Sequence, residues 1–535
     1  MTVQLTENQS ATFASAKQFF TDDENPALVI VGSAGTGKTF LTKHIVEYAV
    51  DAHKLSVVAV APTHKARRVL SKKLNEGRFF DVPSLTVASI LGKMREHTYI
   101  GSHKYSNGSK QKMDQFDCFI LDEVSMVPDK DLDEIIEYIC NNDKKLILIG
   151  DNCQIPAPNQ ELVKEESICY KPDSSAFEIE NLCRMREIVR QAADSPIITI
   201  ATYLRDNLSE DHELLDVLHG CDIPMEEICV THDDLYPMFA EDFEGGSDTR
   251  VIAYTNAAVR SHNEHIRKAL GRTAPLVKNE LLTGYDNVGW PVPLIENGTD
   301  YRVTAIRRTT RHQIDRFCGL VGDLVDIVDV DDPSHVSRDL FFIDIQHAAN
   351  LRFMMELVYR AEKVNQRYSK KNDYKEYCAL KNRAIFLEDV YKYSNKVMTE
   401  TTLKKLHPLL FTKVGEVIDT RRKAIAISEL TGKLEEQYGD IIEGRLIDNK
   451  PFADAEVFAD QYMVVEKDIY YGYAVTSHKS QGSTYDNVYV DENDFKKIAN
   501  KWNYRLHAVE NRSKERNQLK YVAYTRAAST LRIVV

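Results

Sequence analysis

The stretch Gly32-Ser33-Ala34-Gly35-Thr36-Gly37-Lys38-Thr39 decides how this chain is read. It satisfies G-x-x-x-x-G-K-[ST] at every fixed position, follows the apolar run Ala27–Val31 and leads into the helical stretch Phe40–Val50. The glycines let backbone N–H groups turn inward around phosphate oxygens, and the helix N-terminus behind them adds positive potential. Gly32, Ser33, Ala34, Gly35, Thr36 and Gly37 thus form a cradle, Lys38 reaches the outer phosphates of ATP, and Thr39 offers a hydroxyl to Mg2+.

A triphosphate loop needs a second metal anchor, and Cys118-Phe119-Ile120-Leu121-Asp122-Glu123 supplies one at the end of an apolar strand. Asp122 is the expected Mg2+ ligand, and Glu123 the base that orients and deprotonates the attacking water. A third apolar run, Leu146–Ile149, leads to Gly150-Asp151-Asn152-Cys153-Gln154, where the neutral amide of Gln154 can hydrogen-bond a terminal phosphate without adding charge. Around these runs, from Ala27 to Gly150, β-branched segments alternate with helical ones, the pattern of a doubly wound, mostly parallel α/β sheet. The same grammar returns in Val251–Tyr254, Tyr470–Thr476, Asn487–Asp491 and Thr530–Val535, so a second α/β domain assembled from separated pieces is expected. Between them, 92–113 carries an Asn107-Gly108 hairpin signal, 275–335 has turn-separated strands suited to a small barrel, and 348–438 turns to Lys- and Glu-rich helices.

At 535 residues, three or four domains are expected. No apolar stretch approaches the roughly 20 residues of a membrane span, and Met1–Glu7 lacks the basic and apolar regions of a secretory signal, which points to the cytoplasm, or a host's cytoplasm for a viral protein. Nine cysteines form no C-x-x-C pair and are read as reduced thiols. The net charge of −13 argues against a polyanionic partner until it is resolved along the chain: residues 206–248 hold fourteen Asp or Glu and no Lys or Arg. The windows 53–78 (seven basic, one acidic) and 496–532 (ten basic, two acidic) are strongly basic, either as nucleic-acid grips or as solvated helix faces. The acidic segment is expected on an outer face, away from a bound strand.

The ordered set formed by this loop, Ala61-Pro62-Thr63-His64-Lys65-Ala66, Asp122–Met126, Gly150–Pro156, Arg186–Ile197, Tyr473–Thr484 and Tyr521–Ala527 resembles superfamily 1 helicases, closest to the Dda and RecD-like branch. The resemblance covers roughly 5–335 and 460–535. It implies two RecA-like motor domains carrying a β-hairpin, an SH3-like β-barrel and a helical insertion. The first motor domain would take 1–91 and 114–192, the hairpin or pin 92–113, the second motor domain 193–274 and 467–535, and barrel plus tower 275–466.

The resemblance further implies that Gln9 reads the adenine edge, that Gly482 lines the nucleotide, and that Arg190 and Arg526 stabilise charge on the γ-phosphate. Pro62, Thr63, His64, Thr86, Pro156, Thr476, His478 and Lys479 would contact the DNA backbone; where the family usually has His, this chain has Ala88, leaving Thr86 as the donor. Tyr99 and Tyr105 are either wedges against a base pair or packing residues, and four arginines in 301–314 would flank the DNA channel. The implied activity is ATP- and Mg2+-dependent unwinding by a monomer moving 5′ to 3′ on single-stranded DNA and at duplex junctions, in replication, recombination or repair and with single-strand-binding or replisome proteins as possible partners. A viral-type RNA helicase and a motor subunit of a nuclease-associated complex are the alternatives, because backbone contacts do not distinguish the two nucleic acids.

Overall fold

The computed structural model describes residues 5–22, 24–33, 35–76, 81–97, 103–107, 110–157, 162–187, 189, 195–285, 287, 294–313, 319–343, 463–464 and 469–535. Arg190, Ala34, Tyr99 and the helical stretch 348–438 therefore lie outside the described residues. The first part of the chain forms α1 (Glu7–Phe19), β1 (Ala27–Gly32), α2 (Lys38–His53), β2 (Val57–Ala61), α3 (His64–Asn75), β3 (Ser84–Thr86) and the short α4 (Val87–Ile90). The hairpin strands β4 (Lys93–His97) and β5 (His103–Asn107) come next, then β6 (Cys118–Leu121), α5 (Asp129–Asn141), β7 (Lys145–Gly150), β8 (Val163–Glu165), β9 (Ile168–Tyr170) and β10 (Leu182–Met185).

Strands β10-β1-β7-β6-β2-β3 form one sheet, parallel throughout. Its central strands are continuous apolar runs because helices cover both faces. Alternate residues of β1 show this: Leu28 and Ile30 join Leu41 and Ile45 of α2, whereas Val29 and Val31 join Leu132, Ile135 and Ile139 of α5. Leu41 and Ile45 are fully buried, and truncating either to Ala would cost about 2–5 kcal/mol. Parallel strands bring every strand-to-helix loop to the same carboxyl edge. That rule gathers the loop after β1, Asp122 after β6, Gln154 after β7, Thr63 after β2 and Thr86 at the end of β3.

The chain continues through α6 (Pro196–Asp206), α7 (Leu214–Gly220), α8 (Met225–Ile228), β11 (Cys229–Val230), α9 (His232–Glu244), β12 (Thr249–Ala253) and α10 (Asn256–Ala269). After β13 (Leu281–Gly284), β14 (Asp300–Gln313), β15 (Gly319–Asp329), β16 (Val336–Ile343), β17 (Met463–Val464) and β18 (Ile469–Tyr471), it forms β19 (Ala474–Thr476) and α11 (Ser477–Ser480). Then come β20 (Tyr485–Asp491), α12 (Glu492–Phe495), β21 (Lys501–Asn503), β22 (Ala508–Glu510), α13 (Ser513–Tyr524) and β23 (Ala527–Val534). A second parallel sheet has the order β11-β23-β20-β12-β19. Two compact units result: Met1–Met94, Asn107–Pro275 and Tyr471–Val535 form one, which contains both parallel sheets, and Arg95–Ser106 with Leu276–Tyr470 form the other.

In the second unit the strands of 275–335 are longer than the turn spacing suggested. β14 spans 14 residues and pairs antiparallel with β15, and β15 pairs with β16, with register shifts at Val303/Ala305, Arg307/Thr310 and Val325/Ile327 that bend the meander. Arg307, one of the arginines expected beside DNA, pairs with Asp326 at 3.1 Å and with Asp339. The 92–113 hairpin forms as the β4–β5 pair, and Asn107 is the last residue of β5, so the Asn-Gly pair follows the second strand instead of joining the two. Lys93 at the hairpin's base is spent on α5, 2.8 Å from Asp131 and 2.9 Å from Glu134. A four-stranded sheet, β21-β22-β9-β8, joins two stretches more than 300 residues apart and left no signal in the sequence. Of the fourteen acids in 206–248, none is buried. Among the described residues, no helix is long and apolar enough to cross a membrane.

Candidate nucleotide site and strand-facing edge

At the carboxyl end of β1 the chain turns through Gly35 and Gly37, with φ of 85° and 79°. Gly37 cannot be replaced cheaply, because φ 79° strains any other residue, and a Cβ there would also push on Gln9 Nε2, 2.4 Å away. Thr36 Oγ1 donates to Ser33 O at 3.0 Å and closes the loop on itself. Lys38 folds back, Nζ donating to Gly32 O at 2.6 Å and Ser33 O at 3.1 Å. Gln9 is buried as the third helical residue of a capping box, its Oε1 accepting from Thr6 N–H (3.1 Å) and its Nε2 donating to Thr36 O (3.1 Å). Of the side chain expected to read adenine, Nε2 thus braces the phosphate loop while Oε1 caps its own helix in this conformation.

Across the edge, Asp122 Oδ1 accepts the N–H of Glu123 at 3.0 Å, and Glu123 itself sits at φ 53°, in the left-handed region. Burial drives the Glu123 carboxyl up to about 7 and the Asp122 charge adds to it, while Lys38 and Arg526 pull the other way. Burial likewise raises Asp122, against the Lys38 ammonium. Glu123 Oε2 and Ser33 Oγ are buried without a hydrogen-bond partner. These orphaned atoms, an ammonium held by its own loop's carbonyls and two adjoining carboxylates fit a magnesium–triphosphate group: Lys38 and the loop would hold phosphate, Thr39 and Asp122 the metal.

Gln154 is buried, and its Oε1 accepts from Gln481 Nε2 at 3.5 Å. That contact crosses from the β7 end to the segment following α11. A second crossing joins Tyr521 of α13 to Asp151, O–H to carboxylate, at 2.8 Å. Arg526 stands at the start of β23, Nε donating to Val522 O (3.0 Å), one terminal nitrogen to Ser483 O (3.1 Å) and the other to Thr525 Oγ1 (3.1 Å). Its charge reaches Glu123. The structure therefore gathers Lys38, Asp122, Glu123 and Arg526 electrostatically, with Gln154 at the crossing. Asp151, Gln481 and Tyr521 were absent from the sequence-derived site; only the apolar run before Asp151 and the motif around Gln481 hinted at them.

Three strand-contact candidates share one local device. Thr86 and Thr476 end strands β3 and β19, Thr63 follows β2 by two residues, and each caps the next helix, Oγ1 accepting from Ala66 (3.1 Å, Thr63), Ser89 (3.2 Å, Thr86) and Lys479 (3.3 Å, Thr476) N–H. Accepting leaves each hydroxyl proton to be donated elsewhere. Thr255, capping α10 in the same way, spends its proton on Asp494 Oδ1 at 2.9 Å. His64 and Pro62 are half-buried, His478 is exposed and Lys479 half-buried, but Pro156 is buried and offers no surface to a strand in this conformation. The α3 and α11 sets are neighbours: a Cβ on Gly482, at φ 74°, would stand 3.8 Å from Ala66 Cβ, and Lys65 Nζ lies 5.8 Å from the Tyr485 ring.

Residues 4–217 match a family model described as an AAA domain. The chain is 28% identical to the ATP-dependent DNA helicase dda of Enterobacteria phage T4 over 274 residues, 50% of this chain and 58% of that protein, so the match spans little more than half of the phage protein's length. It is 22% identical over 519 residues to Uncharacterized protein R530 of Acanthamoeba polyphaga mimivirus, covering 92% of this chain and 94% of that one. A crystal structure of Pif1 helicase from Candida albicans aligns with 99% of this chain and 94% of its own at 15% identity, with a TM-score of 0.46. The phosphate loop after β1 and the carboxylates after β6 have the form of a P-loop nucleotide site, and the region that carries them is the one that matches the AAA model. Over half of its length, the chain is similar in sequence to the phage T4 helicase.

Proposed function

We propose that the chain is an ATP-dependent DNA helicase that moves 5′ to 3′ on single-stranded DNA and opens duplex junctions. The observation that carries this reading is the crossing itself: catalytic candidates on one parallel sheet, Lys38, Asp122, Glu123 and Gln154, meet Arg526 and Gln481 from the other. The two sheets act as RecA-like motor domains, 1–91 with 114–192 and 193–274 with 467–535; 92–113 is the pin, and 275–466 carries an SH3-like barrel and a helical tower. Polarity and the preference for DNA rest on the Dda-like motifs and on the phage T4 relative, which is named a DNA helicase.

Lys38 leaves its loop carbonyls to bind phosphate oxygens. Bound Mg2+, held by Thr39 and Asp122, would supply charge neutralisation at the phosphates. Glu123 takes a proton from the attacking water as its oxygen bonds to the γ-phosphorus and the bond to the β-phosphate oxygen breaks. Arg526 turns from Val522 and Ser483 to the charge that builds on the γ-oxygens, and Arg190 joins it on the family resemblance. Thr63, Thr86 and Thr476 donate their free hydroxyl protons to strand phosphates, contacts that position a strand without reading its sequence. Strand displacement with 5′-tailed and 3′-tailed duplexes in ATP and Mg2+ tests the reading: activity on 5′ tails is expected, and activity confined to 3′ tails overturns the polarity. Stimulation of ATP hydrolysis by matched DNA and RNA oligonucleotides decides between the nucleic acids.

A further inference from the structure

Asp151 and Tyr521 are separated by 370 residues, yet their 2.8 Å hydrogen bond is sealed, each residue about 1% exposed. Asp151 shapes the turn that carries Gln154: its other carboxylate oxygen accepts Cys153 N–H at 3.0 Å, and its carbonyl accepts Gln154 N–H at 3.2 Å. Gln481 occupies the amide oxygen of Gln154, which leaves the Gln154 NH2 group as the end able to donate to a phosphate. On the other side, Thr525 Oγ1 donates to Tyr521 O at 2.8 Å and accepts from Arg526, so Tyr521 and Arg526 share one turn of chain. The same helix is tied to the strand-facing edge, because Ser477 Oγ of α11 donates to Leu519 O at 2.8 Å.

These bonds form a continuous path from α11, through Leu519 and Tyr521 of α13, to Asp151 and Gln154. We propose that the Tyr521–Asp151 hydrogen bond is a positioning link through which a strand held at α11 sets the Gln154 amide and thereby switches on hydrolysis. The inference rests on the helicase reading given above. Tyr521 touches neither nucleotide nor strand in this scheme; it acts through Asp151. A hydrogen bond to a buried carboxylate is strong and has no water to replace it, so loss of the one hydroxyl is felt at the turn it holds.

Tyr521→Phe tests this by removing only that oxygen. Expected is a fall of about tenfold in strand-stimulated kcat, with KM for ATP, oligo(dT) affinity and the unstimulated rate changed by less than about twofold. Asp151→Asn can keep the bond with donor and acceptor exchanged and is expected to retain most of the stimulation. Asp151→Ala, which loses the same bond, should lower stimulated kcat at least as far as Tyr521→Phe, and the double variant Tyr521→Phe/Asp151→Ala should fall no further than Asp151→Ala alone, the signature of one shared interaction. Full stimulation in Tyr521→Phe overturns the link. So does an equal drop of basal and stimulated rates with a lowered Tm, which marks a merely structural bond. A wild-type chain whose ATPase ignores single strands altogether sinks the helicase reading itself, a result distinguishable from either.

Discussion

Glu123 carries two costs at once, a left-handed backbone and a buried carboxyl oxygen with no partner. Strain and orphaned polar atoms persist where surrounding structure enforces them, and here that structure is the end of β6 and the loop after β1. Replacing Glu123 by Gln keeps the shape and removes the base. We expect strand-stimulated ATP turnover to fall at least about 100-fold with oligonucleotide binding retained; measured turnover close to wild type would reject Glu123 as the base. Gly37→Ala places a side chain at φ 79° and against Gln9 Nε2. It should lower stability by more than about 1 kcal/mol and weaken nucleotide binding, read by thermal melting with and without ATP.

Within elements, much of the site was legible because a parallel strand buried on both faces is an uninterrupted apolar run that stops at a functional turn. Leu121 before Asp122 and Gly150 before Asp151 show it, and Thr63 and Thr476 likewise lie at or just beyond the ends of apolar strands. What stayed hidden depends on distance along the chain. The three-residue strands β8, β9, β21 and β22 hold too few residues for periodicity, and the Tyr521–Asp151 bond has no local trace. Gln9 is the opposite case: its capping box with Thr6 is local and readable from the Thr6-to-Gln9 spacing alone.

The second sheet offers a test at this scale. Burial raises the Asp491 carboxyl, but the hydrogen bond from His262 (2.9 Å), its charge and the Asp494 N–H outweigh this and hold it below the usual carboxylate range. The folded state therefore binds that proton less readily than the unfolded one. The stabilisation is complete above the unfolded value of about 4 and fades as pH falls through the folded one. Asp491→Asn should destabilise the chain at neutral pH, with the difference from wild type shrinking below about pH 4. Urea melts across pH 3–7 measure it, and a pH-independent difference would contradict the assignment.

For the whole molecule, the net charge of −13 is dominated by the acids between 206 and 248, most of them exposed and several engaged locally, as when half-buried Asp242 accepts from Tyr489 at 2.8 Å. Glu226, Glu227, Glu241 and Glu244 are exposed. Changing all four to Gln should shift stability little, since surface substitutions usually stay within about 0.5 kcal/mol each. Nonspecific duplex affinity should rise at low ionic strength and converge on wild type in high salt, where repulsion is screened. A plot of log Kd against log salt that superimposes on wild type would remove electrostatic repulsion as the segment's role.

The lysine folded onto Gly32 and Ser33 carbonyls also bears on timing. On the helicase reading, those two oxygens are a substitute ligand carried by the loop itself, always at hand and never diluted. Each departing phosphate competes with them for the same ammonium, so the affinity for spent nucleotide is trimmed without weakening any contact made during the reaction. A loop arranged this way resets itself, and the wait between one step and the next is set partly by how readily a backbone recaptures its own lysine.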